Sequence, residues 1–382
     1  MAIHAKVKQM SRFNDISLRT LALTEPSLLP AIDWSLVGCE APTIVDTDYP
    51  GPDGALPSAD AIVMTWTSAE WAAMDHVFIR SGKAESPSSA EPAISSWYLY
   101  TGGAPNSGSG ANRLWGYYKI VGIKTLGGQN RRIMLFKSDA HLAHPPYLDG
   151  LTQEVKNLLT EVNPSRLYSI GTAGGATDAQ NLGDVAITNC ATSKLTLPEN
   201  SGSPENGKLY SSSFFPNTDN LLPKVQAQLF YKLSDVATMD EWQRILQQAK
   251  RDPKDASLIP YSLADLINGP INPANLGAPK VGIFRDTPLL TTDTYFIAEG
   301  NSPQWAALEM DDAVVAAAIG QATVSFSFIR NISDAVVVAV DKAGKTLPDP
   351  ARNAWSSEQY NHFGVYSSVN GALAAWATLV DW

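Results

Sequence analysis

R-L-Y-S-I-G-T-A-G-G-A-T-D-A-Q-N-L-G-D-V-A-I-T, residues 166–188, is the stretch whose reading decides the fold. Leu167 to Ile170 reads as a strand and Gly171 to Gly175 as a turn of small residues. A hairpin-like return into Val185, Ala186 and Ile187 follows. Three glycines in five positions let the backbone take left-handed angles and come close to another group. No Gly-Lys-Ser/Thr follows, so this is not a P-loop, and it is not G-x-G-x-x-G. Taken alone the pentapeptide is compatible with a plain turn. Its weight comes from what stands near the end of the chain.

Working outward, Leu151 to Val162 has the spacing of an amphipathic helix. A helix feeding this strand gives a strand–helix–strand order, which predicts a parallel sheet flanked by helices. Upstream, Ala61 to Thr67 reads as a buried first strand. Ser68 to Met74 opens a helix, with Thr67 or Ser68 as N-cap and Glu70 in the first turn. Glu70 can be read there as a partner of the helix dipole. Trp115 to Ile123 pairs with Arg132 to Lys137 across the Gly127–Asn130 turn. His141 and His144 stand three apart but have no third ligand in view, and Pro145-Pro146 cuts the segment short, so no metal is expected.

Downstream, residues 196–280 read as an insertion with helices from Leu221 to Leu233 and from Met239 to Arg251. Strands resume at Val281–Phe284 and Thr294–Ile297. Trp305 to Ile319 reads as a helix with Glu309, Asp311 and Asp312 near its start. Phe326 to Asn331 is a further strand, and Val369 to Leu379 is a last, largely apolar helix. Residues 1–57, broken by six prolines, read as an extension wrapped over the domain or a neighbouring subunit, so residues 58–382 form the main domain.

The whole chain bounds the function class. Its 382 residues, 44% hydrophobic content and ten tryptophans suit a globular protein with a sizeable core. A net charge of −10 and the lack of any basic block argue against nucleic-acid polymers and anionic membrane surfaces as partners. A small-molecule site is the better expectation. Two cysteines are too few for a disulfide framework. No signal peptide and no apolar run of membrane-spanning length is seen, so a cytoplasmic protein is expected.

Four pieces stand in one order: Ile62 to Glu70; G-T-A-G-G-x(6)-L-G-D-V from Gly171 to Val185; Leu308-Glu309-Met310-Asp311; and Ile329-Arg330-Asn331-Ile332-Ser333-Asp334. Together they resemble the nucleoside phosphorylase and nucleosidase superfamily, which includes purine nucleoside phosphorylase and methylthioadenosine/S-adenosylhomocysteine nucleosidase. The resemblance covers roughly residues 60–195 and 281–382. It implies an α/β fold with a mixed, partly barrel-like central sheet between helical layers, a homo-oligomer, and cleavage of an N-glycosidic bond through a ribosyl cation-like transition state. Asp334 matches the acid that protonates the departing base, a role that requires burial to raise its pKa, and Ser333 stands beside it. Asp311 takes the place of the ribose-binding glutamate of the E-M-E pattern, one methylene shorter, with Asp312 able to share the work. Met310 would line the sugar, Glu309 would hold neighbouring backbone, and Phe296 would stack on the base. Thr172, Ala173 and Gly174 would lie beside base and ribose. His141 and His362 are candidates for a 5′-side contact.

Within this superfamily phosphorylases need cationic donors for phosphate, whereas hydrolases activate water with a glutamate at the first strand–helix junction. Glu70 falls near that position. Lys137, Ser138 and His141 follow Phe136 with no arginine cluster, and Arg131 and Arg132 are expected to point away. Hydrolysis of a purine nucleoside is therefore the preferred reading, with no cofactor. A phosphorylase using phosphate as co-substrate and a nucleoside-binding or sensing protein are the alternatives.

Overall fold

The computed structural model describes residues 29–83, 96–104, 115–143, 145, 147–267, 276–294, 302–320, 323–334 and 341–382. Among these, thirteen strands form one sheet. They are β1 (Thr43–Ile44), β2 (Ala61–Thr65), β3 (Tyr98–Tyr100), β4 (Gly116–Lys124), β5 (Asn130–Ser138), β6 (Arg166–Gly174) and β7 (Val185–Thr188). After these come β8 (Cys190–Lys194), β9 (Leu209–Ser211), β10 (Val281–Phe284), β11 (Leu289–Thr292), β12 (Leu308–Glu309) and β13 (Ser325–Asp334). The helices of seven residues or more are α1 (Ser68–Met74), α2 (Tyr147–Val162), α3 (Leu222–Leu229), α4 (Met239–Ala249), α5 (Asp312–Ile319) and α6 (Asp349–Val380).

Strand β6 is the hub. It runs parallel to β2 and β13 on its two sides, and its last residue, Gly174, meets Leu308 of β12 in the antiparallel sense. From β2 the sheet continues through β5 and β4 to β1. From β13 it continues to β7 and β10, and from β12 to β11, β8 and β9. Only Asn189 separates β7 from β8, so two arms leaving β6 meet again through the chain itself. The sheet is therefore mixed and partly barrel-like, and among the described residues no ladder closes it.

Strand periodicity divides the interior in two. Ile62, Met64, Leu167, Phe326 and Phe328 pack on one face with Leu151, Val155 and Leu158 of α2 and Val314 and Val315 of α5. Val63, Tyr168, Ile170 and Ile329 pack on the other face with α1 and with α6. The N-terminal segment joins this second core: Trp34 lies 4.4 Å, ring centre to ring centre, from the fully buried Trp376. Residues of the 196–280 stretch also contribute to the sheet and to this core, through β9 on β8 and through Leu222, Val225 and Trp242.

Several expected boundaries move. The Gly171–Gly174 segment is strand, the end of β6, and not a turn; of the nearby glycines only Gly183 has a positive φ, at 83°. The return strand β7 does not pair with β6 as a hairpin but with β13 and β10, because the intervening loop carries it past β6 to the far side of β13. The helix expected from Trp305 starts only at Asp312, since Glu309 lies in β12 and its carboxylate accepts the N–H groups of Asp311 (2.6 Å) and Asp312 (2.9 Å). Of the strand expected at 294–297 only Thr294 is described, in a bend after β11 has ended at Thr292; residues 295–297 lie outside the described residues. The helix expected from Leu221 to Leu233 ends at Leu229. The last helix is not eleven residues but thirty-two, because its first turns carry buried polar side chains that hide the apolar stripe by which helices are recognised.

Gly183 supplies a test of the loop that carries β7 across. A β-carbon there would lie 2.6 Å from Leu233 Cδ1, in addition to the left-handed strain. Gly183→Ala is expected to lower stability by about 2 kcal/mol or more in urea denaturation, the sum of a left-handed term of about 1–2 and an overpacking term of about 1–3 kcal/mol. Gly128→Ala, at φ 78° with nothing within 4 Å, should show the backbone term alone.

Candidate active site

A cavity of about 670 Å³ opens at the carboxyl ends of the parallel strands β2, β6 and β13. Open α/β sheets bind ligands at such strand ends because loops and helix starts there present polar groups together. The cavity is bounded by Trp66, Thr67 and Glu70 after β2, by Thr172, Ala173 and Gly174 of β6, and by Leu308 to Asp311 around β12. Arg330, Ser333 and Asp334 of β13, His141, and the first turns of α6 complete it.

Its floor is an ion network. Arg330 is 2% exposed, and a buried guanidinium must be paired. Asp312 takes it bidentately: Nε donates to Oδ2 at 2.7 Å and Nη2 to Oδ1 at closer range. Nη2 also reaches Ser169 Oγ at 3.1 Å and Glu309 Oε2 at 3.2 Å, and Nη1 donates to the Thr172 carbonyl at 3.4 Å. Burial pulls the guanidinium down, but Asp312 and Glu309 more than offset it, leaving Arg330 above its ordinary value. Burial, then the Asp312 charge, push Glu309 up to about 8 despite Arg330.

Glu70 closes the top of β2. Thr67 and Glu70 form a capping box at the start of α1, and Glu70 Oε2 accepts the N–H groups of Trp66 and Thr67 at 2.9 Å and the Thr65 hydroxyl at 3.1 Å. Oε1 reaches across to β6, accepting Thr172 N–H at 2.7 Å and Thr172 Oγ1 at 2.6 Å. Five donors thus address a group with about four lone-pair sites. Gly171 lies beneath: a β-carbon there would sit 2.6 Å from Arg330 Nη1 and 2.9 Å from Glu70 Oε1. That close approach of β6, β13 and the start of α1 is why residue 171 is a glycine.

Asp311 is the N-cap of α5 and 2% exposed. Its Oδ1 accepts Leu142 N–H at 3.3 Å and its Oδ2 lies 3.4 Å from His141 Nε2. His141 Nδ1 accepts the Ala143 N–H at 3.0 Å, which leaves the proton on Nε2, directed at Asp311. Burial holds His141 down at about 4, so it is neutral at pH 7. Burial pushes Asp311 well above the carboxylate range, Arg330 pulls it back, and Asp312 adds to the rise. Asp334, 7% exposed, follows a bulge: Ile332 pairs with Ala173 and Asp334 with Gly174, so Ser333 is the extra residue. Ser333 Oγ donates to Asp334 Oδ1 at 2.8 Å, and Ser356 Oγ of α6 donates to Oδ2.

The structure therefore brings Glu70, Thr172, Ala173, Gly174, Glu309, Met310, Asp311, Ser333 and Asp334 to one cavity. Phe296 and His144 lie outside the described residues. His362 is buried 3.4 Å from Glu358 and does not line the cavity. Sequence reasoning missed the role of Arg330, although a charge inside the apolar run Phe326 to Ile332 signals a buried partner. It also missed Lys254, Asp255 and the α6 residues Asn353, Ser357, Glu358 and Asn361, for which no motif exists. Lys137 is engaged by Asp139.

No family model matches the sequence, and no curated protein matches it. Solved structures with a similar chain course include 5′-methylthioadenosine/S-adenosylhomocysteine nucleosidase from Neisseria meningitidis, at 11% identity and TM-score 0.44 over 85% of this chain and 100% of that one. Futalosine hydrolase of Helicobacter pylori is similar at 11% identity and TM-score 0.43, over 85% and 99%. S-adenosylhomocysteine nucleosidase from Streptococcus pyogenes is similar at 11% identity and TM-score 0.43, over 86% and 99%. Values this low leave the chemistry to the side chains of this chain.

Two tests follow from the network. Arg330→Met should destabilise the fold by about 3–5 kcal/mol, because it leaves Asp312 and Glu309 buried and unpaired, and Arg330→Met with Asp312→Leu should recover part of that loss in denaturant titration. The second test is pH. A carboxylate raised on folding stabilises below its unfolded value, and that contribution is lost as pH climbs to the folded one. For Glu309 the window runs from 4.5 to about 8. His141, lowered on folding from 6.5 to about 4, works in the opposite sense, but only below 6.5. The melting temperature should therefore fall between pH 6.5 and 8, and Glu309→Gln should flatten that fall.

Proposed function

We propose that this chain is a nucleosidase of the nucleoside phosphorylase superfamily that hydrolyses the N-glycosidic bond of a purine nucleoside. The observation that carries this is the convergence of three carboxylates from distant parts of the chain, Glu70, Asp311 and Asp334, on one cavity whose buried cation is already committed. Cleavage of such a bond leaves negative charge on the base and positive charge on the sugar. A protonated Asp334 donates to the departing base, and Ser333 and Ser356, whose hydroxyls can donate or accept, hold it in either state. Asp311, oriented by His141 and Leu142 N–H, accepts from the ribose hydroxyls. Water adds to the anomeric carbon and gives its proton to Glu70. Rotation of the Thr172 hydroxyl frees the lone pair on Oε1 that this requires, while the backbone donors keep the carboxylate in place.

Water is favoured over phosphate by charge. Among the described residues the cavity is lined by the carboxylates of Glu70, Asp255, Glu309, Asp311, Asp334 and Glu358, against Arg330 and Lys254 as permanent cations. Arg330 is held by Asp312, and the Lys254 side chain is half exposed. A polyanion entering this cavity finds no free bidentate donor, and the carboxylates that burial leaves ionised repel it. The purine preference follows the sequence motifs.

The test is release of base from purine and pyrimidine nucleosides with and without added phosphate. Release without phosphate, yielding free ribose, supports the proposal; release only with phosphate, yielding ribose 1-phosphate, replaces it with phosphorolysis. Asp334→Asn should lower kcat by about 10² or more, the ordinary contribution of a general acid. Unchanged turnover in that variant would remove Asp334 from the acid's role.

A further inference from the structure

The 196–280 stretch supplies part of the cavity wall. A short 3₁₀ segment, Pro253–Leu258, brings Lys254 and Asp255 to the cavity and is tied to the head of α6 by Ser257 Oγ, which donates to the Pro350 carbonyl at 3.1 Å. Asp255 is 6% exposed, and among the described residues no hydrogen-bond donor reaches its buried Oδ2. The nearest cation, Lys254 Nζ, is 3.9 Å away on a half-exposed side chain that also lies 3.6 Å from Asp252. Across from it on α6, Asn353 Oδ1 is likewise buried without a donor. Glu358, also 6% exposed, has His362 Nε2 at 3.4 Å and lies close enough for its charge to act on Asp255.

Removing an acceptor from water without giving it a donor destabilises a fold, and a second buried carboxylate whose charge acts on the first adds repulsion. Among the described residues nothing recovers that loss. A ligand can. An ammonium offers three donors and no acceptor, which complements Asp255 Oδ2, the Glu358 carboxylate and Asn353 Oδ1. No group of three or more metal-ligating side chains is present among the described residues, so an organic cation suits the wall better than a metal ion.

We propose that Asp255, Glu358 and Asn353 form a subsite for a cationic nitrogen, such as a primary amine, carried by the substrate away from the scissile bond. This rests on the reading of the cavity as a nucleoside site. Burial, then Glu358, push Asp255 up to about 6, and the charge and donors of a bound ammonium would oppose that shift. The chain thus holds a pair of carboxylates whose destabilisation is relieved on binding.

Calorimetry with purine C-nucleosides, whose carbon–carbon link resists cleavage, tests the subsite. One matched pair carries an amine or a hydroxyl at the 5′ carbon; a second carries them on a two-carbon arm on the base's exocyclic nitrogen. One amine is expected to bind about tenfold or more tightly than its hydroxyl partner, and that ratio should fall toward one in Asp255→Asn and in Glu358→Gln. Equal binding of amine and hydroxyl in both pairs overturns the subsite and leaves the nucleoside reading intact, as does a preference that survives both substitutions. Failure of all four compounds to bind removes the nucleoside reading, and the subsite with it. Independently of any ligand, Asp255→Asn should raise the melting temperature of the free protein; a fall would show that Asp255 is structural and would overturn the proposal.

Discussion

One buried guanidinium organises this protein. Arg330 lies buried in the middle of a strand, and it can remain there only because Asp312 grips it bidentately and Glu309 stands alongside. That requirement fixes β13 against the β12–α5 junction, and Ser169 and the Thr172 carbonyl draw β6 into the same arrangement. Glu309 also takes the first N–H groups of α5, so the helix begins where the ion network dictates. Asp311, between two carboxylates turned inward, is left facing the cavity. The geometry of the cavity is thus a by-product of solving a desolvation problem.

A second constraint acts at the other edge. The capping box of α1 is a local device for satisfying a helix start, yet the same Glu70 carboxylate spans to Thr172 on β6. Stability of a helix terminus and placement of a carboxylate oxygen at the cavity are then one interaction. Gly171 is where the two constraints touch, since Arg330 and Glu70 both approach its backbone too closely for any side chain.

The cavity so formed is lined by many carboxyl groups. Glu309, Asp311 and Asp255 are pushed upward chiefly by burial, which stores instability in the free protein. The wall built from the 253–258 segment and α6 extends this pattern beyond the motif-bearing strands, into a part of the chain with no recognisable signature.

Local patterns were enough to read much of this from the sequence. The buried strand read from Ala61, the hairpin of 115–123 with 132–137, the helix start at Thr67 or Ser68 with Glu70 in its first turn, and the helical stripe of 151–162 each depend on near neighbours, and each formed close to where near neighbours place it. The motif residues from Gly171 to Asp334 were visible as types. The sequence could not reveal that Gly171–Gly174 is strand, because the demand for glycine comes from Arg330 and Glu70, distant in the chain. Nor could it reveal that α6 begins at Asp349, because its polar first turns face a cavity that exists only once the sheet has folded. The pairing of Arg330 with Asp312, the neutral His141 aimed at Asp311, and the meeting of Asp255 with Glu358 were likewise decided by tertiary structure. Residue type and spacing set what each side chain can do, whereas low-dielectric burial, which only packing creates, sets which partners it must find.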